Sequence, residues 1–79
     1  MQLKYIVFGV ADIVFFPTHI DHFLIGHTLS ATSAGFCNIN YDAVTKKYVA
    51  KCFGESIGLC LKSHPDDSEI ANLVLNIKL

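Results

Sequence analysis

Arginine is absent from this chain, and its six lysines (Lys4, Lys46, Lys47, Lys51, Lys62, Lys78) are balanced by seven carboxylates to a formal net charge of -1. Without guanidinium forks the chain lacks the bidentate readers of phosphate and guanine, and a balanced charge leaves little footprint for a polyanion. Long apolar runs are also missing. The longest, Tyr5 to Phe16, is twelve residues and contains Asp12, well short of the roughly 20 that span a bilayer. It lacks the pattern of a secretory signal too, because Lys4 is its only early charge and Phe15-Phe16-Pro17 closes it. The expectation is a cytoplasmic protein with no membrane partner.

Cysteine is sparse and odd in number. Cys37, Cys52 and Cys60 form no C-x-x-C pair, which fits neither a disulfide framework nor a zinc ribbon and predicts free thiols. Two prolines, five glycines and the lack of any repeat, low-complexity tract or linker leave one domain over residues 1–79. A chain of this size buries only about 60% of the surface its unfolded form exposes. With 52% apolar residues and a mean hydropathy of +0.44, it holds more apolar surface than a monomer readily hides, which points to association.

The alternation of the chain predicts an α+β domain of order β-β-α-β-β-β-α. Residues 2–8 and Asp12–Phe16, around Gly9-Val10-Ala11, read as a β-hairpin ending at Pro17. The second strand is apolar on both sides, Val14 and Phe16 on one and Ile13 and Phe15 on the other, so it should be central or covered by a partner. Thr18 with Asp21 three residues later resembles a capping box and predicts a helix over His19 to Leu29. On that helix Ile20, Phe23, Leu24 and His27 share a stripe; Ile25 and Leu29 lie on the far side, with His22 between them and the polar edge. Two apolar sides call for two neighbours.

A loop over Ser30 to Ala34 precedes a strand that points Cys37, Ile39 and Tyr41 inward, and Asp42-Ala43-Val44-Thr45 reads as a hairpin loop. The return strand, Lys46 to Phe53, points Tyr48, Ala50 and Cys52 inward. Ser56 to Lys62, with Ile57, Leu59 and Leu61 on one face, would complete a three-stranded meander. Ser63-x-x-Asp66, Pro65 and the early carboxylates Asp66, Asp67 and Glu69 open a second helix. Its stripe is Ile70, Leu73, Val74 and Ile77. The last six residues also alternate as an edge strand would, and the cap favours the helix.

The motifs stop short of an activity. Gly54-Glu55-Ser56-Ile57-Gly58 matches the G-x-S-x-G nucleophile elbow, but a strand pattern, not a helix, follows Ser56, so it reads as a glycine-flanked turn. His19 and His22 lie about 60° apart on a helix and could share a metal ion, whereas His27 falls about 140° away and structural zinc wants four ligands. Cys60 and His64 would form a nucleophile pair only if the fold joined them. Lys46, Lys47 and Lys51 with Tyr48 and Phe53 could line a nucleic-acid groove, although a solvated strand face is the simpler reading.

Ser33-Ala34-Gly35-Phe36, Cys52 to Leu59 and Lys62-Ser63-His64-Pro65-Asp66-Asp67, in this order after a hairpin closing at Phe16-Pro17, resemble a group of short bacteriophage and prophage proteins. The resemblance spans most of the chain. It implies viral origin, the cytoplasm of a bacterial host and no known activity or site residues. The expectation is therefore a non-enzymatic domain without a cofactor or metal, acting through protein contacts as a homodimer or on a host protein. Its expected interface is His22, Ile25, Leu29, Val14 and Phe16. A nucleic-acid module using the Lys46/Lys47/Lys51 hairpin and a metal-binding protein using His19/His22 are the alternatives.

Overall fold

A computed structural model describes residues 1–10, 12–26 and 30–77. The architecture is α+β. Strands β1 (Gln2–Phe8), β2 (Asp12–Phe16), β3 (Ala31–Asp42) and β4 (Lys47–Phe53) form an antiparallel sheet in the order β2-β1-β3-β4. Helix α1 (His22–Gly26) lies between β2 and β3; a small hairpin of β5 (Glu55–Ser56) and β6 (Leu61–Lys62) follows β4; and α2 (Asp67–Leu75) closes the order.

Alternation divides the sheet into two apolar faces. Tyr5, Val7, Cys37 and Ala50 project to one side, where Ala71, Ile70 and Leu75 of α2 meet them and Ile13, Phe15, Ile39 and Cys52 complete the layer. Ile6, Phe16 and Ala34 project to the other, covered by Ile20, Ile25, Leu59 and Leu61. The domain has three layers, with α2 on one side of the sheet and α1 plus the small hairpin on the other. No helix among the described residues is long and apolar enough to cross a membrane.

Several expectations change. The two-faced apolar strand β2 is an edge, and β1, buried from Tyr5 to Val7, takes the centre beside it. The first helix starts at His22, not His19, because the Pro17 carbonyl accepts the Ile20 N–H at 3.1 Å and a turn occupies the preceding residues. His27 and Leu29 lie outside the described residues. The β3–β4 hairpin forms, but its loop is residues 43–46, closed by Asp42 Oδ1 accepting the Val44 N–H at 2.9 Å.

The meander loses its third strand. Gly54, at φ 78°, turns the chain out of the sheet. Ser56 Oγ then accepts the Leu59 N–H at 3.3 Å and the Ile57 carbonyl accepts the Cys60 N–H at 3.2 Å, so a local turn replaces the ladder. Ile57 is left exposed. Tyr41 and Tyr48, expected inside, are exposed at the end of the α2 layer and meet edge to face at 5.1 Å.

Helix α2 runs through Leu75, so the helical reading of the C-terminal segment holds that far. Of its expected stripe only Ile70 packs on the core: Leu73, Val74 and Ile77 are 66%, 40% and 61% exposed, while Asp67 and Ala71 are buried. The helix lies against the outer margin of β4, which calls for polar side chains where a face-on helix would need apolar ones.

Candidate functional site: one edge sealed, one edge open

An edge strand presents a row of unpaired N–H and C=O groups that another chain can use. At β4 five of the six outward groups of Tyr48, Ala50 and Cys52 are taken. Ser68 Oγ accepts the Cys52 N–H at 2.8 Å. Asn72 accepts from Ala50 N–H at 2.8 Å and donates to Ala50 O at 3.0 Å. Asn76 does the same for Tyr48, at 2.8 and 2.9 Å. Three side chains spaced four apart on α2 thus satisfy alternate residues of β4, as a neighbouring strand would. Both asparagines also donate back to the helix, Asn72 to the Ser68 carbonyl and Asn76 to the Asn72 carbonyl, each at 2.8 Å. That second bond holds each amide in the orientation the strand needs.

At β2 no such seal is present among the described residues. The ladder has a parity that identifies the open groups. Tyr48, Ala50 and Cys52 turn outward to α2, so β3 bonds β4 through its even-numbered residues and β1 through its odd-numbered ones. The reciprocal bonds of Met1 with Ile39, 2.9 and 2.7 Å, obey the same rule. Odd residues of β1 therefore serve β3, and even ones pair with Phe16, Val14 and Asp12. The N–H and C=O of Ile13 and Phe15 face outward. Their side chains are half-buried under the α2 layer, and Val14 projects from the opposite face, 41% exposed.

The residues expected to form an interface divide accordingly. Val14 is exposed on the open strand, and Ile25 is half-buried against Ile6 and Phe16. Phe16 and His22 are buried inside the domain, and Leu29 lies outside the described residues. His22 is held by Gly35: its Nε2 lies 2.7 Å from the Gly35 carbonyl, which only accepts, so Nε2 carries the hydrogen. Phe16 and Phe36 meet the ring edge to face at 5.4 and 5.8 Å. Burial lowers the His22 pKa from its ordinary value, outweighing the Gly35 bond, so the ring is neutral at pH 7.

His19, the intended metal companion of His22, is exposed in the turn before α1. Among the described residues no three metal-ligating groups converge. Lys47 and Lys51 share one face of β4 and Lys46 sits in the loop, whereas Tyr48 projects from the opposite face. Cys60 is exposed and bonds the Ile57 carbonyl, while the His64 ring bonds the Asp66 N–H at 3.2 Å. Ser56 is buried in its turn.

Two arrangements were not evident from the sequence. Asp67, read as a helix-dipole residue, is 1% exposed. Its carboxylate accepts from Tyr5 Oη, from Ser33 Oγ at 2.9 Å and from the His64 N–H at 2.8 Å, tying α2 to the central strands. Burial, and next the bond to Asp67, push the Tyr5 phenol far up, so it remains a donor. A cleft of about 220 Å³ lined by Thr32, His64 and Asp66 lies beside this group. The second arrangement is Cys37 and Cys52, which face each other across β3 and β4 with sulfurs 3.6 Å apart. Cys52 donates, which lowers the Cys37 pKa and raises its own.

Comparison of the chain with protein-family models, with curated proteins and with solved structures finds no match.

Proposed function

We propose that this chain is a phage-type protein that acts in the bacterial cytoplasm through protein contacts and not through chemistry, as a homodimer joined edge to edge along β2. The observation that carries the reading is the unequal treatment of the two sheet edges. Three α2 side chains close β4, while β2 keeps outward N–H and C=O groups on a strand apolar on both faces. A natural edge left open and free of lysine is a pairing surface.

The occupant is a second copy because the strand complements itself. An antiparallel two-fold centred on Val14 sets Ile13 opposite Phe15 of the second copy and Asp12 opposite Phe16. It brings every outward group of Ile13 and Phe15 into a hydrogen-bonded pair, and Val14 meets its own copy at the closely spaced position. A register centred on Ile13 or on Phe15 uses fewer of them. The product is one continuous sheet with the sealed β4 strands at its two ends.

Val14→Lys sets two ammonium groups against each other on the axis and disturbs a side chain that is already 41% exposed. Native mass spectrometry and light scattering of the wild type should give twice the 8.7 kDa chain mass, and the variant should give the single mass with an unchanged circular dichroism spectrum. A wild type at the single mass at micromolar concentration, or a Val14→Lys protein that stays dimeric, refutes the assignment.

A further inference from the structure

The pairing of Cys37 with Cys52 is independent of the β2 edge. Their sulfurs lie 3.6 Å apart, and both residues are reduced. The Cys52 N–H is directed away from β3 to Ser68 Oγ, so this is a non-hydrogen-bonded pair, the type whose Cα atoms approach to about 4.5 Å. That spacing falls inside the window for a disulfide. Cys37 is wholly buried and Cys52 half-buried, so a reagent reaches Cys52 first. Cys60, the third thiol, is exposed on the small hairpin.

We propose that Cys37 and Cys52 form a reversible oxidation site, closing to a cross-strand disulfide by exchange with a low-molecular-weight disulfide. The proton shared by the two sulfurs passes from Cys52 to Cys37, and the more accessible Cys52 sulfur, now the thiolate, attacks one sulfur of the reagent, forms a mixed disulfide and releases one thiolate. The Cys37 sulfur, as its thiolate, then attacks Cys52, breaking the mixed bond and releasing the second thiolate. Two electrons pass from the cysteines to the reagent, and the two thiol protons end on the two released thiols. Closure shortens the sulfur separation from 3.6 Å to about 2.05 Å, a motion within reach of side-chain rotation. The bond would fasten β4, and with it the α2 helix bound to its margin, to the centre of the sheet.

Oxidised glutathione is the probe, and Cys60→Ser removes the exposed competitor. The native variant is equilibrated with the probe, quenched in acid, unfolded and alkylated, and a parallel sample is oxidised in guanidinium. The expected result is a single-chain product with no alkyl adduct, lighter by two hydrogen atoms. The native equilibrium should favour closure over the unfolded one by roughly tenfold or more, because the sheet holds the thiols together. Cys37→Ser in the same background should stop at the glutathione adduct on Cys52. Three results would overturn the proposal: two adducts retained under conditions that modify Cys60 in the wild type, a disulfide linking two chains, or equal closure in the folded and unfolded chain.

Discussion

Asn72→Ala tests the sealed edge most directly. In the folded chain Asn72 binds both backbone groups of Ala50, and Ala50 is 2% exposed. Truncation leaves a buried N–H and a buried C=O without partners, at about 1–3 kcal/mol for each group. Alanine recovers up to about 0.7 kcal/mol through its higher helix propensity. The net loss should be about 1–5 kcal/mol, and each 2 kcal/mol lowers the Tm of a domain this size by roughly 8–16 °C. Asn76→Ala is the internal control. It removes the same pair of bonds from Tyr48, which is 44% exposed and can turn to water, so its loss should stay below about 1 kcal/mol. Urea denaturation of the three proteins by circular dichroism measures both values. Equal losses for Asn72→Ala and Asn76→Ala would refute the claim that the asparagines act as a substitute strand graded by burial.

Two further perturbations address the other face of the sheet. Burial holds the His22 pKa below its ordinary 6.5, so above that pH neither the folded nor the unfolded state carries the proton. As pH falls below 6.5 the unfolded chain takes up a proton that the folded ring resists, and stability declines until the folded pKa is reached. The urea midpoint should therefore drop between pH 7 and pH 5 in the wild type and drop less in His22→Gln; parallel curves would count against the buried neutral ring. A Cβ at Gly35 would fall on the Phe53 carbonyl oxygen, with the Gly54 carbonyl carbon 3.3 Å away, and backbone cannot yield as a side chain can. Gly35→Ala should cost about 3 kcal/mol or prevent folding. At Gly58 the nearest atom, Phe23 Cβ, is at ordinary contact distance, so Gly58→Ala should fold with little change in Tm.

The hairpins were legible because alternation is a local signal, and Pro65 with its following carboxylates marked the start of α2 for reasons contained within one turn. Strand order was not legible. Ile13, Val14, Phe15 and Phe16 read as a strand that is either central or covered by a partner, and two apolar faces do not choose between a central strand and an edge that awaits a neighbour. The stripe of α2 was misassigned because Ile70, Leu73, Val74 and Ile77 follow the period of a helix lying face-on. Ser68, Asn72 and Asn76 carried the relevant period in polar residues, which are ordinarily read as solvent-facing.

The thiol pair turned on a single residue. A loop at residues 42–45 would set Cys37 opposite Ala50; the observed loop at 43–46 sets it opposite Cys52. Moving a hairpin loop one position along the chain shifts its register by two, and loop boundaries are the least local part of the pattern. Asp67 is similar, since its three donors come from β1, β3 and the preceding loop and only the tertiary fold assembles them.

The seal along β4 also sets a length limit on this architecture. Four residues of helix advance about 6.0 Å, whereas two residues of antiparallel strand advance about 6.8 Å. The two lattices slip by about 0.8 Å per step, or about 1.6 Å across the three rungs from Ser68 to Asn76. A fourth rung would be displaced by about 2.4 Å, more than the freedom of an amide side chain accommodates at hydrogen-bonding distance. The helix ends at Leu75, and Asn76 at its C-cap makes the last rung. A longer helix would not shield a longer strand. Beyond Tyr48 the hairpin depends on a different safeguard, the ammonium groups of Lys46 and Lys47 at its tip, where charge rather than geometry keeps another strand away.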